Sequence, residues 1–452
     1  MNAAALSILT LLTSPLLNAS SIASHPDSSS LIVYNGNIGL VHEKRGLSLD
    51  SGKQSLIYPD VASSIQTDSV NVIFPDGVSL YSQQYRFDKI TAQKLAEAHL
   101  GKEVKFYIET GSGLIYKSGS LLSADSQAVV KTAQSEIYTV PVSALIFSYI
   151  PSELITKPSL IWNIDTPKIN RGILSLDYLV NNISWKSDYT LKLSQKSVDL
   201  SGWITIDNRS GKAFKETRVN VLAGDIDRVQ EPKKRLYMAK AAVAEMDAPA
   251  VQEVSHEGYH LYQIPFPVTL PNNQQTQIKF VDIKNIPVKR KYKAKFSNPF
   301  YLQGEAKHTI SQYLEIESLD RPLPMGTVRS YSKEKETTLL LGESAIAHTP
   351  KHEKIAITLG KNFDLHATEK TLSSNSDRYY MDKTVYYELG NRSKESKTVE
   401  LLVPFIKNDK GQSSVATKQQ YRWENANLLS FQVSVKADSK QSFEVHYRAK
   451  KQ

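Results

Sequence analysis

The sequence predicts an all-β protein built from tandem, Ig-like β-sandwich modules. Long stretches of its 452 residues alternate Val, Ile, Thr and Tyr with polar residues. Successive side chains of a strand point to opposite faces, so this alternation is typical of half-buried strands. In addition, the stretch at 203–222 is similar to that at 385–403, and both contain the turn sequence Asn-Arg-Ser. Asn and Ser favour turns because their short polar side chains bond nearby backbone groups.

The length of the chain indicates several domains, because a single core seldom serves more than about 250–300 residues. A β-rich N-terminal region is expected at 24–90, and a small SH3-like or Sm-like barrel at 91–150, where short strands alternate with Gly and Ser turns. We place a first β-sandwich at 168–288, with an inserted loop at 231–255. A second β-sandwich follows at 289–452.

The start of the chain resembles a secretory signal peptide at 1–23. A hydrophobic run from Ala3 to Leu17 precedes small residues, with a suitable cleavage position after Ala23. No Lys or Arg precedes this run, which is one departure from the usual pattern. The run is short for a membrane span of about 20 apolar residues, and no second stretch of that length follows. We therefore expect an exported, periplasmic or envelope-associated protein without a transmembrane segment in its mature chain.

Charge and cysteine content narrow the possible chemistry. The chain carries 55 Lys and Arg against 46 Asp and Glu, a formal net charge of +9, and contains no cysteine. The absence of cysteine excludes disulfides, thiolate nucleophiles and cysteine-ligated metals. The excess of Lys and Arg over Asp and Glu favours acidic partners. Nucleic acid, however, is not expected as a partner of an exported chain.

Two histidine motifs are candidate metal sites. The motif His-Glu-Gly-Tyr-His at 256–260 matches a zinc-protease signature, which requires a helix to bring both histidines to one metal. Strand-like alternation follows it, and residues four apart in a strand lie about 13 Å from each other. At His348 and His352, Pro350 opposes a helix, so an exposed turn is expected. Asp225 and Asp227 lack further calcium ligands nearby. We therefore predict no metal.

Other catalytic patterns are missing from the sequence. No serine lies in a Gly-x-Ser-x-Gly elbow, and there is no glycine-rich phosphate loop. Asn208 and Asn391 match the glycosylation sequence, but both stand where a tight turn favours Asn. We assign no catalytic or cofactor-binding residue, and an enzymatic activity is less expected than a binding role.

The most distinctive charge pattern lies at 289–296. A strand here would carry four lysines on one face: Lys289, Lys291, Lys293 and Lys295. Its other face would carry Arg290, Tyr292, Ala294 and Phe296. Such a lysine face is suited to contact a polyanion such as lipopolysaccharide, an acidic glycan or anionic lipid. The alternative is a solvated or edge strand that lysines protect from aggregation.

Several of these segments together resemble a known family. The chain is similar to exported bacterial proteins that carry domain of unknown function 4139, which are related to the mucoidy-inhibitor proteins. The matching residues are 185–189, 200–203, 207–211, 222–225, 323–329, Tyr331, 341–344, 348–350 and 359–360. The resemblance implies tandem β-sandwiches in an envelope protein, with no assigned catalytic residues. Mucoidy-inhibitor-like members carry a coiled coil before the shared domain, whereas this chain has the barrel-like unit there.

These observations predict an exported, non-catalytic interaction or scaffold protein of the bacterial envelope. Its partner would be an envelope protein or an anionic glycan or lipid surface. Two alternatives remain open. One is an envelope hydrolase whose site is assembled from distant residues. The other is a polyanion-binding or glycan-binding protein that uses the basic strand at 289–296.

Overall fold

The computed structural model describes residues 20–223, 252–256, 259–407 and 412–451. Strands dominate these residues and form several sandwich-like sheets, so the predicted all-β fold is confirmed. The only α-helix among the described residues is α1 (Ala92–Ala98), which Thr91 caps by accepting a hydrogen bond from the amide of Lys94. Most of the predicted signal peptide, most of the loop predicted at 231–255, and the Asp225 and Asp227 pair lie outside the described residues.

The strands of the N-terminal part are β1 (Ser21–Ile22), β2 (Ser28–Tyr34), β3 (Ile38–Leu49), β4 (Gly52–Pro59), β5 (Asn71–Ile73), β6 (Ser79–Arg86), β7 (Glu103–Thr110), β8 (Gly113–Ala124), β9 (Ala128–Thr132), β10 (Ile137–Val140), β11 (Leu145–Ile146) and β12 (Ser159–Thr166). The middle part contains β13 (Asn170–Asn181), β14 (Ile183–Leu193), β15 (Ser197–Asn208), β16 (Phe214–Ala223), β17 (Gln252–His256), β18 (Tyr259–Gln263), β19 (Val268–Leu270) and β20 (Gln274–Lys295).

The C-terminal part contains β21 (Glu305–Ile316), β22 (Gly326–Glu334), β23 (Thr337–Ile346), β24 (Ile355–Ser376), β25 (Tyr380–Asn391), β26 (Lys397–Pro404), β27 (Ser413–Ala416), β28 (Tyr421–Asn425), β29 (Leu428–Val435) and β30 (Ser439–Lys450). Single 3-10 turns occur at Thr67–Ser69, Val142–Ala144 and Pro299–Tyr301.

The chain divides into two compact units, each built from separate segments. The first unit comprises Met1–Ser184, Asp207–Val221 and Phe266–Thr276. The second comprises Trp185–Ile206, Leu222–Pro265 and Gln277–Gln452. The segment at 168–288, which the sequence suggested as one sandwich, contributes to both units because the chain passes between them several times.

In the first unit, two sheets enclose the core. One sheet has the order β16-β2-β3-β13-β5, with β1 also pairing β3 and β19 pairing β16. The other has the order β4-β12-β6. Trp162 of β12 is fully buried, and its ring lies 5.4 Å from the rings of both Tyr58 and Phe74. Its indole nitrogen donates to Gln83 Oε1 at 2.7 Å, so the buried polar atom keeps a partner.

A five-stranded sheet within the first unit covers the region where a small barrel was predicted. Its order is β10-β9-β8-β7-β11. Helix α1 and the strands share a core that includes Ala96, Phe106, Leu121 and Val130. Residues 113–124 of this sheet form the single long strand β8.

The second unit contains one long sheet with the order β23-β22-β14-β15-β20-β21-β24-β25-β30-β27. Strand β26 pairs with β20 and β29, and β28 pairs with β29. The core at the C-terminal end is aromatic. The rings of Tyr387, Phe431 and Phe443 contact one another, and the ring of Phe405 contacts that of Tyr447. The hydroxyl groups of Tyr387 and Tyr447 are hydrogen-bonded at 3.0 Å. Strands β17 and β18 pair antiparallel with each other.

The first Asn-Arg-Ser turn forms a buried corner in the first unit. Asn208 is 1% exposed, and its Nδ2 donates to the carbonyl oxygens of Lys212, Leu270 and Pro271 at 2.8, 3.1 and 3.2 Å. Its Oδ1 accepts from the amide and hydroxyl of Ser210 at 3.2 and 2.7 Å. The side chain of Asn208 thus joins two chain segments about sixty residues apart.

The second Asn-Arg-Ser turn repeats this bonding pattern in the second unit. Asn391 is also 1% exposed, and its Nδ2 donates to the carbonyl oxygens of Glu395, Val435 and Lys436 at 2.8, 3.1 and 3.1 Å. Its Oδ1 accepts from the amide and hydroxyl of Ser393 at 2.9 and 2.7 Å. Both asparagines are therefore structural corners, and neither amide is accessible for glycosylation in the folded chain.

Candidate functional site

The basic segment at 289–296 lies in the second half of strand β20 and just beyond it. Tyr292, Ala294 and Phe296 are 7%, 0% and 5% exposed and belong to the core of the second unit. Three of the four lysines are exposed and the fourth, Lys293, is half-buried. Burial of the alternate residues fixes this register, because a shift by one residue would turn the lysines into the core.

Arg290 differs from the other residues of its face. The alternation grouped it with the inward-facing residues, yet Arg290 is exposed. The buried run begins only at Tyr292, so the core does not extend beneath Arg290. Its guanidinium donates to the carbonyl oxygen of Ser194 at 3.3 Å. Cationic groups therefore occur on both faces of the strand at this point.

Two of the lysines are held by carboxylates. Lys289 forms an ion pair with Glu317, and this hydrogen bond is the main reason why the pKa of Glu317 is lowered. Lys293 lies 2.9 Å from Glu400, which Arg422 also contacts at 3.0 Å. Burial raises the pKa of Glu400, but the two cations outweigh it and hold this pKa below its ordinary value.

The other two lysines have no ion pair among the described residues. Lys291 lies opposite Tyr313 of β21, and Lys295 opposite Leu402 of β26. Both ammonium groups are exposed on a sheet surface whose backbone is fixed by strands on each side. These two positions therefore keep a positive charge that is free to meet a ligand.

A groove of about 380 Å³ opens beside this part of β20. It is lined by Lys289, Arg290, Lys291, Tyr292, Thr398, Glu400 and Gln432. Its chemistry is mixed, since cations from β20 face a hydroxyl, an amide and a carboxylate from β26 and β29. Such a lining can bind an anionic group and hydroxyl groups together.

The zinc-protease-like motif lies on a hairpin. Its first histidine ends β17, its last lies in β18, and the strands pair antiparallel with His256 opposite Tyr259. The two histidines of the motif therefore lie on two paired strands, and not one turn apart on a helix as zinc chemistry requires. Among the described residues, no group of three or more His, Cys, Asp or Glu side chains could hold a metal.

The structure does bring two histidines of different motifs together. The rings of His260 and His348 stack with centroids 6.3 Å apart and an angle of 11° between their planes. Nδ1 of His348 accepts a hydrogen bond from the amide of Met325 at 3.1 Å. Burial, and next the nearby His260, lower the pKa of His348. His352, by contrast, has an exposed side chain, as expected for a turn.

A contact between a buried carboxyl group and a half-buried histidine in the second unit had no signal in the sequence. His308 Nε2 lies 2.8 Å from Glu369 Oε1, although the residues are 61 positions apart. Burial raises the pKa of Glu369 and lowers the pKa of Lys383, whose ammonium donates to the carbonyl of Leu302. The ring of Phe296 packs on that of His308 with their centroids 4.6 Å apart, so the core covers one side of the histidine.

The first unit contains a second buried ionic cluster. Glu43 is 1% exposed and accepts hydrogen bonds from Arg45 at 2.9 Å, Tyr58 at 2.7 Å and Lys212 at 2.5 Å. The guanidinium carbon of Arg45 lies 3.9 Å from the centre of the Tyr58 ring. Burial raises the pKa of Glu43, but Lys212 and Arg45 outweigh it and lower this pKa overall. The cluster is fully enclosed, which indicates a structural role.

Comparisons with protein families and with curated proteins do not identify this chain. No family profile matches the chain. No curated protein matches it either. The resemblance to exported bacterial proteins therefore stays a prediction from the sequence motifs. No helix among the described residues has both the length and the apolar character that crossing a lipid bilayer requires.

Proposed function

We propose that this protein is an exported, non-catalytic interaction protein of the bacterial envelope, and that the basic face of β20 contacts an acidic glycan. The observation that carries this proposal is the placement of Lys291 and Lys295. Both ammonium groups are exposed and have no ion pair among the described residues, and Lys291 lines a groove rich in hydrogen-bonding groups.

The buried residues beneath the lysines favour binding because they hold the strand in place. The buried side chains of Tyr292 and Ala294 anchor the strand in the core, so little conformational freedom of the backbone is lost when a ligand binds. The carboxylates of Glu317 and Glu400 orient Lys289 and Lys293 across the same surface. The result is a preorganised surface on which cations and hydrogen-bonding groups alternate.

The charge pattern also favours a particular class of ligand. A uniformly charged polyanion would meet the carboxylates of Glu317 and Glu400 as well as the lysines, and like charges oppose each other. An acidic glycan spaces its carboxylates by whole sugar rings and offers hydroxyl groups between them. Thr398 and Gln432 can bond such hydroxyls within the groove.

Export is supported by the sequence alone. The hydrophobic run from Ala3 to Leu17 and the small residues up to Ala23 have the order of a secretory signal. Acidic glycans are abundant on the outer side of cells, so this localisation agrees with the ligand class. Fractionation of the producing cells would test the localisation separately from binding.

Binding to polygalacturonate, a polymer of uronic acid, tests the proposed contact. We expect the double substitution Lys291→Glu and Lys295→Glu to weaken binding by about tenfold or more, since attraction becomes repulsion at two positions. Binding of the unchanged protein should also weaken with added salt. The matched control is the double substitution Lys307→Glu and Lys450→Glu, because both are exposed lysines of the same unit, on β21 and β30.

Two outcomes would contradict the proposal. One is that the unchanged protein does not bind polygalacturonate at low salt. The other is that two exposed control substitutions, Lys450→Glu and Lys307→Glu, weaken binding as much as the pair on β20. The second outcome would show that net charge, and not this surface, determines the affinity.

A hydrolase assembled from distant residues is the second candidate function. The contact between His308 and Glu369 favours it, because a buried carboxyl group with a raised pKa is common at catalytic sites. Purified protein should then cleave peptidoglycan, peptide or ester substrates, and Glu369→Gln should abolish that activity while the protein stays folded. This result would overturn the non-catalytic proposal.

A further inference from the structure

Paired and free lysines alternate along the basic face of β20. Two of its four lysines form an ion pair with a carboxylate, and the other two form none among the described residues. In chain order they are Lys289 with Glu317, the free Lys291, Lys293 with Glu400, and the free Lys295. Because alternate residues of a strand share one face, this pattern repeats about every 13 Å. The surface therefore alternates a free positive charge with a neutralised position.

The carboxylate of Glu400 is held firmly at one of the neutralised positions. Its side chain is 12% exposed, and Lys293 lies 2.9 Å from its Oε2. Its Oε1 accepts hydrogen bonds from Arg422 at 3.0 Å and from Ser430 at 3.4 Å. The three donors belong to β20, β28 and β29, so the carboxylate is fixed from three strands. A ligand therefore meets this group at a set place on the surface.

Glu400 can still accept a hydrogen bond from a ligand. An ionised carboxylate accepts about four hydrogen bonds, and only three are occupied here. The residue lines the groove together with Thr398 and Gln432, whose side chains also form hydrogen bonds with hydroxyl groups. A second carboxylate at this place would meet a like charge that its three donors keep from moving away. This position therefore suits hydroxyl and amide groups and disfavours an acid.

We propose, resting on the function proposed above, that the ligand is a glycan in which acidic and neutral sugars alternate, and that Glu400 determines this specificity. Lys293 lies opposite Glu400 and midway between Lys291 and Lys295 in the strand. Carboxylates of the glycan then meet the two free lysines, and the neutral sugar between them meets Glu400.

The lysines and Glu400 have different effects on binding. Lys291 and Lys295 attract any acidic glycan, and their flexible side chains adjust to the repeat of the ligand. A glycan with an acid on every sugar would place one of its carboxylates against Glu400. Specificity often comes from such an unfavourable contact with the wrong ligand as much as from contacts with the right one. Glu400 therefore lowers the affinity for uniformly acidic glycans and leaves the alternating kind favoured.

Two oligosaccharides of equal length test this specificity. One is a hyaluronate hexasaccharide, in which glucuronic acid alternates with neutral N-acetylglucosamine. The other is hexagalacturonate, which carries an acid on every sugar and so has twice as many carboxylates. Attraction to net positive charge alone would make hexagalacturonate the tighter ligand. We expect the opposite order, with the hyaluronate hexasaccharide bound about tenfold more tightly in isothermal titration calorimetry at low salt.

The substitution Glu400→Gln should remove this preference. The affinity for hexagalacturonate should rise about tenfold, because the opposing charge is lost while an amide oxygen still accepts hydrogen bonds from hydroxyl groups. Glu424→Gln is the matched control, since it removes the same charge and also loses an ion pair with Arg422, but Glu424 is not among the residues that line the groove. The control should keep the preference. Circular dichroism would verify that both variants stay folded.

Three outcomes would overturn the specificity and leave the glycan contact itself in place. They are hexagalacturonate binding the unchanged protein at least as tightly as the hyaluronate hexasaccharide, a ratio of affinities that Glu400→Gln does not change, and a ratio that Glu424→Gln changes equally. In each case polygalacturonate would still bind through Lys291 and Lys295. If the unchanged protein binds neither oligosaccharide nor polygalacturonate at low salt, the proposed function and this specificity are both wrong.

Discussion

The corners at Asn208 and Asn391 use the same hydrogen bonds but place the fourth following residue differently. In each corner the asparagine amide binds the carbonyl of that residue, which is Lys212 in one case and Glu395 in the other. The side chain of Lys212 is buried and reaches Glu43 in the core. The side chain of Glu395 is 76% exposed and pairs with Lys397 at the surface.

This difference separates what the motif determines from what its surroundings determine. Asn-Arg-Ser fixes the backbone of a corner, because its polar atoms satisfy the turn locally and across to a neighbouring strand. The motif does not specify whether the next side chain enters a core. In the first unit the negative charge of buried Glu43 makes an inward lysine favourable, whereas the second corner has no such carboxylate among its described contacts.

The two corners should differ most in stability when the carboxylate near each corner is removed. Glu43→Gln would leave the charges of Lys212 and Arg45 uncompensated in the core and should lower the free energy of unfolding of the first unit by about 3–5 kcal/mol. Glu395→Gln, at the exposed corner, should leave stability unchanged. Urea unfolding followed by hydrogen exchange of peptides from β3 and β16 would measure the effect. Equal losses of stability from Glu43→Gln and Glu395→Gln would contradict this difference between the two corners.

Removing the shared asparagine should instead affect both corners alike. Asn208→Ala and Asn391→Ala each leave buried carbonyl groups without their donor, and each should cost about 2–4 kcal/mol. Hydrogen exchange of β19 would report the first change, and that of β29 the second. A cost below about 0.5 kcal/mol at either site would show that water replaces the amide there.

A smaller effect should appear as a dependence on pH. Because the pKa of Glu43 is lowered in the folded chain, its stabilisation is present above its ordinary pKa of about 4.3 and is lost as pH falls through the folded pKa. The first unit should therefore lose stability in acid, and Glu43→Gln should flatten this loss. If Glu43→Gln lost stability with falling pH as steeply as the unchanged protein, other carboxylates would be responsible for the loss.

Local features of this fold could be predicted from the sequence with good success. The alternation of apolar and polar residues gave the all-β class and the outward direction of Lys289, Lys291 and Lys295. The Asn-Arg-Ser turns were recognised as structural corners because Asn and Ser can satisfy a turn within a few residues. Each of these features depends on neighbours in the sequence, which a single chain displays directly.

Features that depend on distant neighbours could not be predicted. Alternation shows to which side of a strand a residue points, but not whether a core lies there, and Arg290 is exposed for that reason. Glu43 and Lys212 are 169 positions apart, and His308 and Glu369 are 61 apart. Their pairing follows from sheet order and register, which no local pattern in the sequence specifies.

The interrupted path of the first unit has a consequence for how the protein is made. Its last segment ends at Thr276, and Lys212 must reach Glu43 near the start of the chain. A chain that emerges from the ribosome or a secretion channel with its N-terminus first cannot complete this unit until about 270 residues have appeared. Until then its open strands are exposed to aggregation, so a holding chaperone would act mainly on this early intermediate.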